Sequence, residues 1–287
     1  MAINLRQKVT VYFGEDLDSF KGDNISPKGA DPNFYHEILD EFGIEGEIRF
    51  KSEFDGLIES GIGSSASAAV ALVGAINKRL NMGLTLDQIA QKAWWLEVEK
   101  IKLFGGKQDQ WAATYGGVNA MEFHKDQVTV APLAKGFIEP IMPYLILFYT
   151  GENRKSAIIQ EGFKELNTHQ IKTLNNIKDL AYKAIDPLGK GDIGEVASLM
   201  RQNWELKKIS NLGVTNERVD KIYTRAMRAG CWAGKILGAG GGGYMLFICP
   251  PGRHNGVINA LRMMGVQHWD FSVCWNGLEV REIPDAA

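Results

Sequence analysis

Three stretches of this chain carry residue types that could do chemistry. The first is a Gly/Ser turn, Gly61-Ile62-Gly63-Ser64-Ser65-Ala66, just ahead of an apolar run from Ala66 to Leu80. Two glycines let the backbone turn so that several N–H groups converge. The helix expected behind them adds its partial positive charge, and together these suit an anion. Ser64 or Ser65 could also offer a hydroxyl to Mg²⁺. The alternative is an ordinary Ser N-cap after a flexible turn. Neither the G-x-x-x-x-G-K-[ST] phosphate loop nor the G-x-S-x-G hydrolase elbow occurs.

The second stretch holds two carboxylates. Thr85 with Gln88 three residues on reads as a capping box, opening a helix that runs to about Leu103. On a wheel of ~100° per residue, Leu86, Ile89, Ala90, Ala93 and Ile101 share one side. Glu97 falls in the middle of that side, and Glu99 falls opposite it among Gln88, Lys92 and Lys102. A carboxylate facing a core is costly unless paired or bound to a cation. Glu97 is therefore the candidate metal ligand and Glu99 a solvated residue; the alternative is a Glu97 satisfied by a nearby Arg or Lys. Twelve positions on, Asp109 stands in Gly105-Gly106-Lys107-Gln108-Asp109-Gln110, near the start of a short helix. Carboxylates so placed suit two jobs, one on a metal and one on a substrate hydroxyl. Taken alone, Asp109 also reads as a favourable charge in the first turn of a helix.

The third stretch is Gly238-Ala239-Gly240-Gly241-Gly242-Gly243. It matches G-x-G-x-x-G, but it leads into a strand, Tyr244 to Cys249. A dinucleotide fingerprint follows a strand and opens a helix, so NAD binding is rejected on context. Five glycines between two strands predict a turn kept clear of side chains so that something bulky can approach the backbone. The alternative is a tight hairpin.

The elements that must position these stretches alternate between strand and helix. Leu5–Phe13, Ile44–Phe50, Val118–Phe123, Gln127–Val130, Tyr144–Tyr149 and Tyr244–Cys249 read as strands, and Asp16–Pro32 as a loop. Gln108–Tyr115, Lys155–Lys183, Ile193–Lys208 and Asn216–Ala229 read as helices, and a helix, a strand and a further strand finish the chain. The pattern becomes helical near Thr150, which predicts domains at 1–150 and 151–287 and an α+β class.

Composition sets the outer bounds. With 287 residues, 45% of them hydrophobic, the chain can bury a sizeable core. A formal net charge of −2 with no basic block argues against a nucleic-acid partner. Cys231, Cys249 and Cys274 are too widely spaced for a disulfide framework or a metal pair, and read as reduced thiols in a cytoplasmic protein. Met1 to Thr10 holds no apolar signal core. No apolar run reaches the ~18–20 residues that span a bilayer, so no membrane partner is expected.

At these stretches the sequence resembles the GHMP kinases, the superfamily of galactokinase, homoserine kinase and mevalonate kinase. Gly61 to Ala66 is similar to their G-L-G-S-S-A motif and Lys235 to Phe247 to their G-x-G-x-G-G turn, in the family's order and spacing. The stretch Gly106 to Gly117 narrows the resemblance to D-glycero-D-manno-heptose 7-phosphate kinases, as do Phe148 to Gly151 and Asn203 to Lys208. The resemblance implies a half like the second domain of ribosomal protein S5 followed by a ferredoxin-like half. It implies an ATP-dependent sugar kinase, most similar to those acting at the C1 hydroxyl of the heptose 7-phosphate for nucleotide-heptose synthesis. Gly61, Ile62, Gly63, Ser64, Ser65 and Ala66 would then cradle the phosphates, with Gly238, Ala239, Gly240, Gly241 and Gly242 also on the nucleotide. Ser65 and Glu97 would hold Mg²⁺, and Asp109 would face the sugar hydroxyl. Lys107, Gln108 and Arg154 are the candidates for holding the sugar or its phosphate, although Arg154 also reads as a solvated cation at a helix start. The family's opening motif, of the type P-L-R-I-S-F-x-G-G-G-T-D, has no counterpart here; Met1 to Leu5 resembles the segment that follows it. The readings kept beside the heptose kinase are a galactokinase- or fucokinase-like enzyme, and a truncated nucleotide-binding protein without turnover.

Overall fold

The computed structural model describes residues 1–14, 32–44, 48–103, 105–152, 165–211 and 213–283. It divides into two compact units, one of residues 1–58, 63–132 and 272–287, the other of 59–62 and 133–271.

In the first unit β1 (Gln7–Phe13) pairs antiparallel with β2 (Ile48–Phe54), from Gln7 opposite Phe54 to Phe13 opposite Ile48. The helices are α1 (Pro32–Asp40), α2 (Ser64–Arg79), α3 (Leu86–Trp95) and α4 (Gln108–Tyr115). A second antiparallel pair, β3 (Asn119–Phe123) and β4 (Val128–Pro132), follows. The core is built from Tyr35, Ile38 and Leu39 of α1, Phe50 of β2, Leu72, Val73 and Ile76 of α2, and Ile89 and Ala93 of α3. Each large side chain so buried contributes about 1.5–3 kcal/mol. The capping box expected at Thr85 is present, with Thr85 Oγ1 accepting from Gln88 N and Gln88 Oε1 accepting from Thr85 N. Beyond Trp95 the helix widens into a π turn, Leu96–Lys100, rather than continuing as α-helix to Leu103. Such one-turn widenings are frequent at functional sites.

The last described residues return to this unit. Ile3 bridges Val273, Gly117 N donates to Cys274 O at 2.7 Å, and Leu278 N donates to Thr114 O at 2.9 Å. Leu278 packs where a Cβ on Gly74 of α2 would stand, 2.7 Å from its Cδ2.

The second unit contains α5 (Lys135–Ile138), β5 (Leu145–Tyr149), α6 (Thr168–Lys190), α7 (Ile193–Ser210), α8 (Glu217–Ala229), β6 (Ala233–Ile236), β7 (Tyr244–Ile248), α9 (His254–Arg262) and β8 (Gln267–Trp269). Its sheet runs β6-β7-β5-β8, antiparallel throughout. Strand, helices, two strands, helix, strand along the chain, with β5 and β7 at the centre of the sheet, is the split β-α-β arrangement of ferredoxin-like folds, as the resemblance implies. Phe148, Met245, Phe247, Trp204, Ile222 and Leu261 are fully buried between sheet and helices.

Several expectations are corrected. The compact units part at Pro132 rather than near Thr150, because β5 pairs with β7 and β8, and residues 272–287 belong with the first unit. Helix α1 has no counterpart in the sequence reading, although Phe34, Tyr35, Ile38 and Leu39 form a helical stripe. Strand β2 is centred four residues later than expected, at Ile48–Phe54. The helix expected over Lys155–Lys183 starts at Thr168 instead, capped by Asn167, and extends to Lys190, ending on Gly191 in the left-handed region; residues 155–164 lie outside the described residues. No second strand follows β8 among the described residues; an isolated bridge at Val273 takes its place.

Candidate active site

The N-terminus of α2 is built on glycine. Gly63 occupies the N-cap with φ +73° and offers no side chain to cap the helix. Its carbonyl accepts from both Ser67 N (2.9 Å) and Ser67 Oγ (2.8 Å). The ordinary Ser cap is therefore not what the chain forms. Ser64, Ser65 and Ala66 fill the first turn, where N–H groups have no intrahelical acceptor and favour an anion. Gly63 is glycine for a second reason: a Cβ there would lie 3.2 Å from Cβ and Cγ of Asp109. The Asp109 side chain thus packs directly against this turn.

Glu97 sits in the π turn and is only 4% exposed, whereas Glu99 is exposed, as the wheel predicts. Among the described residues no Lys or Arg pairs with Glu97. Its partners are neutral: Gln110 Nε2 donates to Glu97 Oε2 at 2.6 Å, and the Ser65 hydroxyl bonds the same carboxyl. Burial pushes the Glu97 carboxyl up to about 7, against the two hydrogen bonds, and the nearby Asp109 charge pushes the same way. A buried carboxylate whose bonds are to an amide and a hydroxyl has its charge uncompensated by the protein, which fits a cation ligand. Mg²⁺ takes one or two carboxylates plus substrate phosphates, so Ser65 and Glu97 beside an anion-binding helix start suit it without a larger acidic cluster.

Asp109 lies in the first turn of α4 and is exposed, as a group that meets substrate must be. Gln108 Nε2 lies 3.4 Å from Asp109 Oδ1. Lys107 is half-buried with its ammonium 4.7 Å from the centre of the Trp94 ring, so it is held by cation–π attraction. Arg154 lies outside the described residues.

The glycine turn between β6 and β7 gives a different result from the one expected. What approaches its backbone is the protein's own chain. A Cβ on Gly238 would lie 2.5 Å from Gly61 Cα, on Gly240 2.5 Å from Val214 O, on Gly242 2.7 Å from Glu152 O and on Gly243 2.1 Å from Ser60 O. Gly238, Gly240, Gly241 and Gly243 also have φ between +62° and +112°, open only to glycine without strain. Backbone bonds lock the packing: Tyr244 N to Ser60 O at 3.0 Å, Gly243 N to Glu152 O at 2.7 Å and Gly241 N to Val214 O at 2.8 Å. Gly61 belongs to this packing, with φ +82° and a would-be Cβ 2.8 Å from Leu237 O. β6 and β7 do pair as an antiparallel hairpin, but its connection from Leu237 to Gly243 is not a tight turn and is held on three sides by other segments.

Sequence reading missed Gln110 and Thr114. Both are buried, at 4% and 1% exposure, on the face of α4 that carries Trp111. Polar residues on a buried stripe are the signal that singled out Glu97, and it was available here too.

Family models match both halves. Residues 33–117 match the GHMP kinases N terminal domain and residues 183–267 match GHMP kinases C terminal. A D-glycero-alpha-D-manno-heptose 7-phosphate kinase of Campylobacter jejuni subsp. jejuni serotype O:2 is 34% identical over 77% of this chain and 66% of its own length. A mevalonate kinase of Pyrococcus horikoshii is 25% identical over 79% of this chain, again covering 66% of the relative. The match thus spans just under two thirds of each of these relatives. Among solved structures, that of a candidate sugar kinase from Campylobacter jejuni superposes with a TM-score of 0.73 at 27% identity, covering 96% of this chain and 86% of the other. With both family models in their expected order and a ferredoxin-like second unit, this chain belongs to the GHMP kinases.

Proposed function

We propose that this chain is an ATP-dependent kinase that transfers the γ-phosphoryl group to a hydroxyl of a sugar phosphate, with D-glycero-D-manno-heptose 7-phosphate as the acceptor at C1. The carrying observation is that Ser65, Glu97 and Asp109 gather around the N-terminus of α2. The choice of acceptor is supported by the 34% identity to the heptose 7-phosphate kinase.

The first-turn N–H groups of α2 hold the β- and γ-phosphates, and Gly63 keeps that surface free of a side chain. Ser65 and Glu97 would hold Mg²⁺, which when bound would neutralise phosphate charge as it shifts toward the leaving oxygen. The acceptor oxygen forms the new bond to the γ-phosphorus as the bond from phosphorus to the β–γ bridging oxygen breaks. ADP leaves, and the hydroxyl proton passes to the Asp109 carboxylate. Positioning carries most of the rate, since the protein supplies no covalent intermediate. The glycines 238–242 support the nucleotide side by fixing the backbone around Gly61 rather than by leaving empty space.

The test measures ADP release by the purified chain with MgATP and a panel of heptose 7-phosphate, galactose, fucose and mevalonate. Turnover highest with the heptose phosphate, and lost in Glu97→Gln, is the expected result. Preference for galactose or fucose would replace the acceptor but keep the kinase. ADP release with none of the panel would favour a nucleotide-binding protein without turnover.

A further inference from the structure

Gln110 lies within the stretch from Gly106 to Gly117 but has no role in the proposed chemistry, yet it is tied to both carboxylates. It adjoins Asp109 in sequence and bonds Glu97 in space. Its own backbone is fixed, because Thr114 Oγ1 donates to Gln110 O at 2.8 Å and Thr114 O in turn accepts from Leu278 N at 2.9 Å. The side chain is 4% exposed and has one good orientation. The Glu97 carboxylate accepts, so the amide must present its NH₂ to it, at 2.6 Å. That leaves Gln110 Oε1 buried with no hydrogen-bond partner among the described residues. Buried acceptors are rarely left so, and an orphan beside a candidate cation ligand points to a donor that arrives with the ligand.

Resting on the kinase reading above, we propose that Gln110 is a positioning residue for the metal. Its Nε2 fixes the rotamer of Glu97, and its Oε1 accepts from a water carried on the bound cation. Side chains that orient a ligating carboxylate typically change metal affinity ~10–100-fold when removed.

The experiment uses the full chain and Mn²⁺ as a Mg²⁺ substitute, with free Mn²⁺ followed by electron paramagnetic resonance in the presence of ATP. Gln110→Met keeps the volume and removes both polar atoms. It should weaken Mn²⁺ binding ~10-fold or more. Metal-free ATP binding should stay close to the parent's, and the loss of Mn²⁺ affinity should persist well below the variant's metal-free thermal midpoint, which a merely structural role would not allow. Gln110→Asn, which keeps the amide but shortens it, should fall between Met and the parent and serves if the Met variant does not fold. Two outcomes overturn the proposal and tell its failure from that of the kinase reading. Unchanged Mn²⁺ affinity in Gln110→Met while Glu97→Gln weakens it removes Gln110 alone. Unchanged affinity in both variants removes Glu97 as the metal ligand and the proposal with it.

Discussion

Two regions of this molecule carry unusual residues for opposite reasons. Around Glu97 the oddity is a polar side chain on an apolar stripe, and its partners are an amide and a hydroxyl with no charge. Between β6 and β7 the oddity is a run of glycines, and its explanation is internal. Backbone from Ser60–Gly61, Val214 and Glu152 occupies the space that side chains would need. A misplaced carboxylate is expensive to keep, so its presence points outward to a ligand. A missing side chain costs only conformational entropy, so its presence need mean no more than close packing. Both regions belong to motifs similar to those of the GHMP kinases, and in the proposed reaction only the first supplies side chains.

That contrast can be broken most forcefully at Gly243. Gly243→Ala would place a methyl 2.1 Å from Ser60 O at a φ of +87°. Overpacking costs about 1–3 kcal/mol and the left-handed conformation about 1–2 kcal/mol, so a loss of roughly 3–4 kcal/mol in denaturant unfolding is expected. A stable variant with altered ATP affinity would show that the turn is shaped for ligand rather than for its own chain.

At the carboxylate region the expected damage is to rate, not fold. Asp109 is exposed and in the first turn of α4, so Asp109→Asn should fold and bind ATP normally. Turnover should fall at least ~10²-fold, the scale of a positioned acid–base group. Near-parental turnover would leave Asp109 as a helix-start charge.

Glu97 sharpens the comparison through pH. Its folded-state value, raised to about 7 from 4.5 chiefly by burial, means that the folded chain binds the proton more tightly than the unfolded chain. The stabilisation from the protonated form is complete below the unfolded value and is lost as pH rises through about 7. Metal-free stability should therefore decline between pH 4.5 and about 7, and Glu97→Gln should flatten that slope. Mg²⁺ affinity should rise over the same window, because the metal takes the ionised form. Glu99→Gln should change neither curve.

The smallest effect is the control for the glycine argument. Gly106 has no atom of the described residues within 4 Å of a would-be Cβ, and its φ is not in the left-handed region. Gly106→Ala should alter unfolding by less than about 0.5 kcal/mol.

Much of the site was legible in the chain. Helical period alone put Glu97 inside and Glu99 outside, and this survived the π turn because the widening begins at Leu96, next to the carboxylate itself. The Thr85 cap and the strands Tyr144–Tyr149 and Tyr244–Cys249 were also plain, since local hydrogen bonding and alternation determine them. What the chain could not announce was partnership across distance. Nothing near Gly243 in sequence says that Ser60 will lie against it, and nothing near Gln110 says that its amide will meet Glu97, thirteen positions back. The same holds for the last residues, where Leu278 holds Thr114 and fills the space above Gly74. Residue type and period reflect local energetics and so can be read from sequence, whereas which backbone crowds a glycine, or which amide orients a carboxylate, depends on how distant segments pack and is decided only in the folded chain.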